Sequence, residues 1–252
     1  MNEAPASGRQ RLDDLLVLRG DFATRSRARD AIRRGTVRID GAVAGKAGQT
    51  VSAQAAIEID DPAQRYVSRA ALKLVAGLDA FGFDPTGRHA LDLGASTGGF
   101  TQVLLERGAV HVHAIDVGHG QMHPAVAADP RVTNIEGLNA RDLGPTDLEG
   151  SEISFLVSDV SFVSLKLVLP PALELCRPGT MAILLVKPQF EAGRAAIGKG
   201  GLLKDPEAGA AIATALSEWL SGQSGWESLG TLPSPISGGD GNLEYLLAGR
   251  KS

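Results

Sequence analysis

The chain has 252 residues, of which 43% are hydrophobic, so it can bury one large core and a second, smaller one. Its formal net charge of −4 does not point to a nucleic-acid partner, and its single cysteine, Cys176, leaves no disulfide possible within the chain. The longest strongly apolar run, 181–186, is far shorter than the ~18 residues that a membrane-spanning helix needs. Because residues 1–10 also lack the apolar core of a signal peptide, we expect a cytoplasmic protein without a membrane partner.

The charge is distributed unevenly along the chain. Residues 9–60 contain 10 Arg or Lys and 7 Asp or Glu, a net charge of +3, whereas residues 61–252 contain 15 and 21, a net charge of −6. This asymmetry predicts a basic N-terminal domain joined to an acidic body. Residues 1–8 are polar and contain Pro, Ser and Gly, and we expect them to be disordered.

Two helices are predicted in the basic domain. Leucines at 12, 15, 16 and 18 indicate a short helix that ends at Gly20, and Thr24 is a suitable N-cap for a second helix over 25–34. Two rows of arginine flank the apolar face of the second helix: Arg25, Arg29 and Arg33 on one side, and Arg27 and Arg34 on the other. Such rows fit either an ordinary solvated surface or a site for a phosphate backbone.

Short strands are predicted at 36–41, around 51 and at 56–59. A linker, 61–66, follows, and then a helix over 69–81 that Ser68 can cap. Most of this helix is apolar and should be buried, yet Lys73 lies among its apolar positions. The lysine can either extend its amine to water or belong to a functional site.

A glycine-rich turn follows the first apolar strand of the body. The strand ends in Asp92, the turn contains Gly94, Gly98 and Gly99, and a helix is predicted over 100–107. Glycines let the backbone approach a ligand closely, and the start of a helix favours negative charge. The turn predicts a nucleotide-like ligand.

The spacing of this turn decides between ligands. It lacks the G-x-G-x-x-G order of the dinucleotide-binding fingerprint. Asp92 precedes the first glycine, and Asp116 ends the next strand, 22 residues beyond Gly94. An acid at that position commonly holds the hydroxyl groups of a ribose. The pattern therefore favours S-adenosylmethionine.

Strands and helices alternate through the rest of the body. We predict strands over 110–116, 153–157, 181–186, 228–232 and 243–248, and helices over 170–175 and 206–220. Glu244 is expected just inside the last strand. This order predicts an α/β fold, Rossmann-like, with a mostly parallel sheet whose ligands collect at the carboxyl ends of the strands. Asp92, Asp116, Asp159 and Lys187 all lie at such ends and form a candidate site.

Two other motifs are weak. Histidines at 111, 113, 119 and 123 are spaced in pairs, but no further ligand completes a zinc site, so we expect no metal. Residues 193–200 imitate a phosphate-binding loop, yet Gly200 stands where a Ser or Thr should bind magnesium. We expect a mobile loop beside the site instead.

Several segments resemble known families. Arg11-Leu-Asp13 and Val37-x-Ile-Asp-Gly41 resemble the S-four-like RNA-binding domain, an α+β domain named after a ribosomal protein, over 9–60. The body, 67–252, resembles the FtsJ-like methyltransferases. Four strings, together with the fusion of the two domains, are similar to the TlyA family: Tyr66-Val-Ser-Arg-Ala-Ala-Leu-Lys73, Asp116-Val-Gly-His-Gly-Gln121, Val186-Lys-Pro-Gln-Phe-Glu191 and Gly241-Asn-Leu-Glu244.

The resemblance implies an activity and a set of site residues. The implied reaction is methyl transfer from S-adenosylmethionine to a ribose 2′-hydroxyl of ribosomal RNA, typically on a cytidine, either in free RNA or in a ribosomal subunit. The implied catalytic tetrad is Lys73, Asp159, Lys187 and Glu244. The residues assigned to the cofactor are Asp92, Gly94, Ala95, Ser96, Gly98, Gly99, Phe100, Asp116, Asn139, Asp142 and Asp159. The residues assigned to RNA are Arg11, Arg25, Arg27, Arg29, Arg33, Arg34, Arg65, Arg69 and Lys199.

Within this tetrad Lys187 is the candidate base for the ribose hydroxyl. A lysine must lose its proton to act as a base, and burial beside a second cation, Lys73, favours that loss. Asp159 would oppose the loss while it orients the amine, and Glu244 can hold Lys73. Two other functions stay open: a non-catalytic RNA-binding or ribosome-assembly factor, and a membrane-acting hemolysin, the label that some members of the family carry.

Overall fold

A computed structural model describes residues 8–252, which divide into two compact units at the Arg65–Tyr66 bond. We call 8–65 the N-terminal unit and 66–252 the C-terminal unit. Apart from Gly8, the predicted disordered stretch lies outside the described residues. Most of the predicted linker, Pro62–Arg65, is a short 3-10 turn at the end of the N-terminal unit.

The N-terminal unit packs two helices against short antiparallel strands. Its elements are α1 (Leu12–Leu18), α2 (Arg25–Arg33), β1 (Arg9–Arg11), β2 (Val37–Ile39), β3 (Ala42–Val43), β4 (Thr50–Ser52) and β5 (Ile57–Ile59). Strand β1 pairs with β4, and β2 lies between β3 and β5. Leu12 and Leu16 of α1 pack with Ala28 and Ile32 of α2 in a core of their own. Thr24 caps α2 by accepting a hydrogen bond from the Arg27 amide at 3.3 Å.

The C-terminal unit is built on a seven-stranded sheet. Its elements are α3 (Ala71–Phe81), β6 (His89–Leu93), α4 (Gly99–Glu106), β7 (His111–Asp116), α5 (Pro124–Ala127), β8 (Val132–Glu136), β9 (Ile153–Ser158), α6 (Leu165–Leu175), β10 (Cys176–Val186), α7 (Pro188–Glu191), α8 (Ala208–Ser221), β11 (Trp226–Pro233) and β12 (Tyr245–Lys251). The strand order is β11-β12-β10-β9-β6-β7-β8. Strands β10, β9, β6, β7 and β8 run parallel, and β12 is antiparallel to β10 and β11.

The sheet is covered on both faces, which explains the nearly continuous apolar runs of its central strands. Helices α6 and α8 contribute Leu169 and Leu216 to one core, and α3 and α4 contribute Leu78 and Leu104 to the other. The predicted α/β fold with a mostly parallel sheet is confirmed.

Several boundaries differ from the sequence-based prediction, and three of them concern elements next to the candidate site residues. Helix α6 begins at Leu165 rather than Pro170, because Ser164 caps it and the Glu191 carboxylate accepts the Leu165 amide at 2.7 Å. Strand β10 begins at Cys176 rather than 181 and carries an irregularity before it reaches Met181. Strand β12 begins at Tyr245, so Glu244 stands just before it rather than inside it.

Candidate active site

The glycine turn after β6 forms the floor of the site. Gly94 and Gly98 adopt left-handed conformations, with φ of 81° and 89°. A Cβ atom on Gly94 would lie 3.0 Å from the backbone oxygen of Asp159 and from the nitrogen of Val160, so the position has room only for glycine. This close approach joins the turn after β6 to the segment after β9.

A cavity of about 500 Å³ opens beside the turn. Predicted cofactor residues that line it are Gly94, Ser96, Asp116, Asn139 and Asp159. The Asp116 carboxylate is fixed from two sides, since it accepts the Ser96 amide at 2.8 Å and the Gly118 amide at 2.7 Å. Each carboxylate oxygen has a further acceptor position for a ligand hydroxyl.

A second cavity of about 150 Å³ adjoins the first. Gly94, Ser96, Asp159 and Ser161 line both cavities, so these residues form a common wall. The remaining predicted cofactor residues that face the second cavity are Ala95, Gly99 and Phe100. Lys187 also faces it, which places an amine close to the wall.

Three predicted cofactor residues do not line either cavity. Asp92 is fully buried, Gly98 packs against Val126, and Asp142 is exposed beyond Asn139. Gly98 and Asp92 therefore support the glycine turn on the side away from the cavities. A direct contact of Asp92, Gly98 or Asp142 with the cofactor stays a prediction, since none of the three lines either cavity.

Asp92 has an unusual electrostatic environment. Burial raises the pKa of its carboxyl to about 7, the nearby Asp159 and Asp116 add to that effect, and a hydrogen bond from Thr101 at 2.7 Å opposes it. Its Oδ1 atom has no hydrogen-bond partner among the described residues. The second oxygen, Oδ2, accepts the Thr101 hydrogen bond and so anchors the start of α4.

Lys187 lies just before α7, and three oxygen atoms hold its amine. Its Nζ lies 2.6 Å from Asp159 Oδ1, donates a hydrogen bond to Ser161 Oγ, also at 2.6 Å, and donates a longer one to the Asp159 backbone carbonyl at 3.4 Å. The residue is only 8% exposed, so the amine cannot extend freely into water. The carboxylate contact is a close ion pair without hydrogen-bond direction, since Asp159 Oδ1 has no hydrogen-bond partner in the described chain. The amine therefore has defined neighbours on one side and the cavity on the other.

The other two tetrad residues form a second buried ion pair. Lys73 Nζ lies 2.5 Å from Glu244 Oε2, and the two side chains are 7% and 3% exposed. Lys73 does not reach water, so the interpretation that it extends its amine to solvent is wrong. Burial of this pair requires both partners, because removal of one would leave an uncompensated charge.

Strand pairing brings the two ion pairs together. Val186 at the end of β10 pairs with Tyr245 at the start of β12. Lys187 and Glu244 are the next positions on these antiparallel strands, so their backbones are neighbours. The structure thus gathers Lys73, Asp159, Lys187 and Glu244 at one edge of the sheet, with two positive and two negative charges.

Sequence reasoning did not single out three residues of this region. Ser161 contacts Lys187, and Glu191 binds both Ser164 Oγ at 2.5 Å and the Leu165 amide. Phe162 is 90% exposed, has a φ of 66°, and its ring centroid lies 5.1 Å from that of Phe190. Phe162 lies three residues after the strand-end acid Asp159, and Phe190 and Glu191 lie three and four residues after Lys187, so position shortly after a strand is the available signal.

The predicted RNA-binding residues of the N-terminal unit fall into two groups. Arg11, Arg25, Arg29 and Arg33 have exposed side chains, at 46% for the first three and 63% for Arg33. Arg27 donates to the Ala63 carbonyl, and Arg34 is 14% exposed in an ion pair with Asp61 at 2.8 Å. The ion pair of Arg34 with Asp61 lies within the N-terminal unit, and a contact of Arg34 with RNA stays a prediction.

The remaining RNA candidates are spread over the chain. Arg65 is exposed in the 3-10 turn of the N-terminal unit, and Arg69 is partly buried just before α3. Lys199 is exposed in a short turn, Lys199–Gly201. The residues 193–204 form two such turns, with a bridge between Ile197 and Leu203.

The described residues include no cluster of three or more His, Cys, Asp or Glu side chains that could hold a metal ion. Over the same part of the chain, every helix is too short or too polar to cross a membrane.

Comparison with known families matches both units. Residues 66–251 match the family model for FtsJ-like methyltransferases, and residues 10–57 match the model for the S4 domain. The first match covers about three quarters of the chain.

Individual relatives match over nearly the full chain. The 16S/23S rRNA (cytidine-2′-O)-methyltransferase TlyA of Mycobacterium tuberculosis is 44% identical, over 95% of this chain and 89% of the relative. Hemolysin A of Brachyspira hyodysenteriae is 36% identical, over 94% and 98%. The solved structure named "Putative hemolysin from Streptococcus thermophilus" has a TM-score of 0.74 at 35% identity, covering 98% of this chain and 90% of that one. The chain therefore belongs to the TlyA family of FtsJ-like methyltransferases.

Proposed function

We propose that this protein transfers a methyl group from S-adenosylmethionine to a ribose 2′-hydroxyl of ribosomal RNA in the cytoplasm, with cytidine as the target nucleoside. The observation that carries the proposal is the position of Lys187 beside the wall shared by the two cavities. One cavity has the features of a cofactor site, and the other exposes the candidate base. The name of the M. tuberculosis relative supports the choice of ribosomal RNA and of cytidine.

The residues of the larger cavity fit S-adenosylmethionine. Asp116 offers fixed carboxylate oxygens to ribose hydroxyls, and Gly94 and Ser96 line the same cavity, where they can lie against the amino-acid part. Asn139 lines the same cavity and can bind the adenine. When bound, the cofactor supplies an electrophilic methyl group.

Lys187 would act on the ribose hydroxyl. After the ammonium has lost one proton, the neutral amine can take the hydroxyl proton as the ribose oxygen bonds to the methyl group, while Asp159 and Ser161 hold Nζ in place. The buried ion pair of Lys73 and Glu244 fixes the start of β12, which lies beside Lys187. Positioning of the hydroxyl and removal of its proton are both contributions that the chain itself makes.

Aromatic and basic side chains would hold the RNA. The exposed ring of Phe162 lies in the lining of the cofactor cavity and can stack on an unpaired base. The exposed arginines of the N-terminal unit and Lys199 can contact phosphates.

The decisive test is methyl incorporation by the Lys187→Ala variant. We expect transfer to ribosomal RNA to fall at least ~100-fold, which is the lower range for loss of a general base. Affinity for S-adenosylmethionine, measured by calorimetry, should stay within about twofold, because Lys187 is not among the residues of the larger cavity. Lys166→Ala is the matched control, since Lys166 is an exposed lysine of α6.

Two outcomes would contradict the proposal. Absence of S-adenosylmethionine binding to the intact protein would leave a non-catalytic RNA-binding factor as the better description. Undiminished transfer by the Lys187→Ala variant would place the base elsewhere.

A further inference from the structure

A buried carboxylate organises the basic face of the N-terminal unit. Asp13, in the first turn of α1, is fully buried. It accepts hydrogen bonds from Arg11 Nε at 3.0 Å, Arg11 Nη2 at 3.1 Å, Arg25 Nη2 at 3.2 Å and Arg29 Nε at 2.8 Å. Three guanidinium groups from β1 and α2 thus converge on one acid.

The three arginines keep the capacity to bind a second anion. Each guanidinium has five N–H donors, and Asp13 accepts from no more than two nitrogens of any one of them. Each side chain remains 46% exposed. An arginine side chain loses rotamer entropy when it becomes ordered on binding, and the contacts already made to Asp13 reduce that loss.

Arg11 is also fixed from its other side. A Cβ atom on Gly48 would lie 2.9 Å from both Nη atoms of Arg11, so the guanidinium rests directly against this glycine. The neighbouring backbone holds the same loop to α1, because the Leu12 amide donates to Gln49 and the Asp13 amide donates to Ala47. Because Gly48 has no side chain, the Arg11 guanidinium can pack against its backbone.

The adjacent acid has a different position. Asp14 is 41% exposed and lies 2.8 Å from Arg25 Nε and 3.6 Å from Arg11 Nε. It shares the arginines with Asp13 but stands at the surface, where it competes with any incoming anion. The two consecutive acids therefore have opposite expected effects on anion binding.

We propose that Asp13 is a positioning residue that holds Arg11, Arg25 and Arg29 as a preformed site for phosphodiester groups of RNA. This inference rests on the proposed function, since it names the phosphate-binding part of the RNA contact. It has an unusual consequence: removal of a negative charge at position 13 weakens the binding of a polyanion, because the arginines lose their common anchor.

The test compares three variants of the full chain for binding to an in vitro transcript of 23S ribosomal RNA. Asp13→Asn should bind roughly fivefold to tenfold more weakly, with a salt dependence lowered by about one phosphate contact. Gly48→Ala displaces Arg11 without any change of charge, and should weaken binding roughly threefold. Asp14→Asn, which makes the same charge change one residue away, should bind as tightly as the parent protein or a few-fold more tightly.

The outcomes separate this inference from the proposed function. If Asp13→Asn binds as tightly as Asp14→Asn, or if Gly48→Ala binds like the parent, the cluster only stabilises the unit and the inference is overturned. If Asp13→Asn fails to fold, the affinity of Gly48→Ala for the transcript decides whether the inference holds. If the parent protein binds neither the transcript nor an isolated ribosomal subunit, the proposed function fails instead. Thermal melting and affinity for S-adenosylmethionine check that each variant is folded.

Discussion

Asp92 influences the site through its charge state. It supports the glycine turn from below, with one oxygen bonded to Thr101 and the other without a partner in the described chain. The carboxyl is shielded from water by β6 and α4, and its pKa is raised to about 7 chiefly by burial. The native state therefore holds a proton that the unfolded chain releases near its ordinary value of 3.8.

This shift predicts a pH-dependent effect of Asp92→Asn. Between about pH 4 and 7 the native state binds more protons at position 92 than the unfolded state, so the contribution of Asp92 to the free energy of unfolding falls as pH rises. Asp92→Asn cannot titrate at this position, so its free energy of unfolding does not fall for this reason as pH rises. Its stability relative to the parent protein should rise by a few kcal/mol at most, on the order expected for a shift of this size, between pH 5 and pH 8. Denaturant unfolding at both pH values measures the difference.

A second buried group also contributes to the pH dependence of stability. Burial, and then the nearby His111 and His89, lower the pKa of His113 to about 4, so its contribution to stability is lost as pH falls from about 6.5 towards 4. That change is common to both proteins and cancels in the difference. Asp84→Asn should not alter the pH dependence above pH 5, because hydrogen bonds from Thr86 lower the pKa of Asp84. Parallel stability curves for the parent and Asp92→Asn would contradict the assignment.

At the level of elements, Glu191 connects the end of α7 to the start of α6. Its carboxylate accepts both Ser164 Oγ and the Leu165 amide. The loop between β9 and α6 contains Asp159 and Ser161, which hold Lys187. Glu191 therefore fixes the loop from one end while Lys187 contacts it near the other.

Loss of this contact should affect both stability and turnover. We expect Glu191→Ala to lower the free energy of unfolding by about 1 kcal/mol, as for other lost helix caps, and the melting temperature by roughly 2–4 °C. Methyl transfer should fall more than cofactor affinity, since Glu191 lies outside the larger cavity. Glu174→Ala, at the other end of α6, is the control and should be neutral or slightly stabilising. An equal loss of stability in both variants would contradict the capping role.

The same elements show what the sequence can predict. Buried parallel strands are nearly continuous apolar runs, so the sequence predicts β9 and β10, and it predicts that polar residues at their ends share a site. It does not predict the start of α6, because the acceptor that stabilises this helix end comes from Glu191, 26 residues along the chain from Leu165. Pro170 suggested a helix start by its local preference, and tertiary contacts outweighed it.

The site shows the same limit. The local apolar pattern alone places Asp116 and Lys187 at strand ends. The partner of Lys73 is 171 residues away, so the helix that carries Lys73 does not reveal its burial, and only the family resemblance pointed to Glu244 as the partner. The pairing of Arg34 with Asp61 likewise turned a predicted surface arginine into an internal contact. Long-range ion pairs are set by the fold and leave little local trace.

At the level of the whole molecule, the two units divide the proposed tasks. All candidate cofactor and catalytic residues lie in 66–252, and most candidate RNA-binding arginines lie in 8–65. Each unit has its own hydrophobic core. Affinity for RNA and affinity for the cofactor should therefore respond to different substitutions.

Arg33→Gln in the N-terminal unit and Lys199→Gln in the C-terminal unit test this division. Both parent side chains are exposed, and each substitution removes one positive charge. If each contacts a phosphate, each variant should lower the salt slope of ribosomal RNA binding by about 1, and the double variant by about 2. The two changes in binding free energy should add to within ~0.5 kcal/mol, because the residues share no partner. Filter binding at several salt concentrations measures both quantities.

The corresponding control is Lys166→Gln, which removes an exposed charge that is not assigned to RNA. It should leave the slope unchanged. Cofactor affinity should be the same in the parent protein and in all four variants, because neither Arg33 nor Lys199 lines the larger cavity. A slope that falls equally in the control would mean that RNA responds to net charge alone. A change confined to Arg33→Gln would mean that the C-terminal unit contributes no phosphate contact through Lys199, and RNA would then be held chiefly by the arginines around α2.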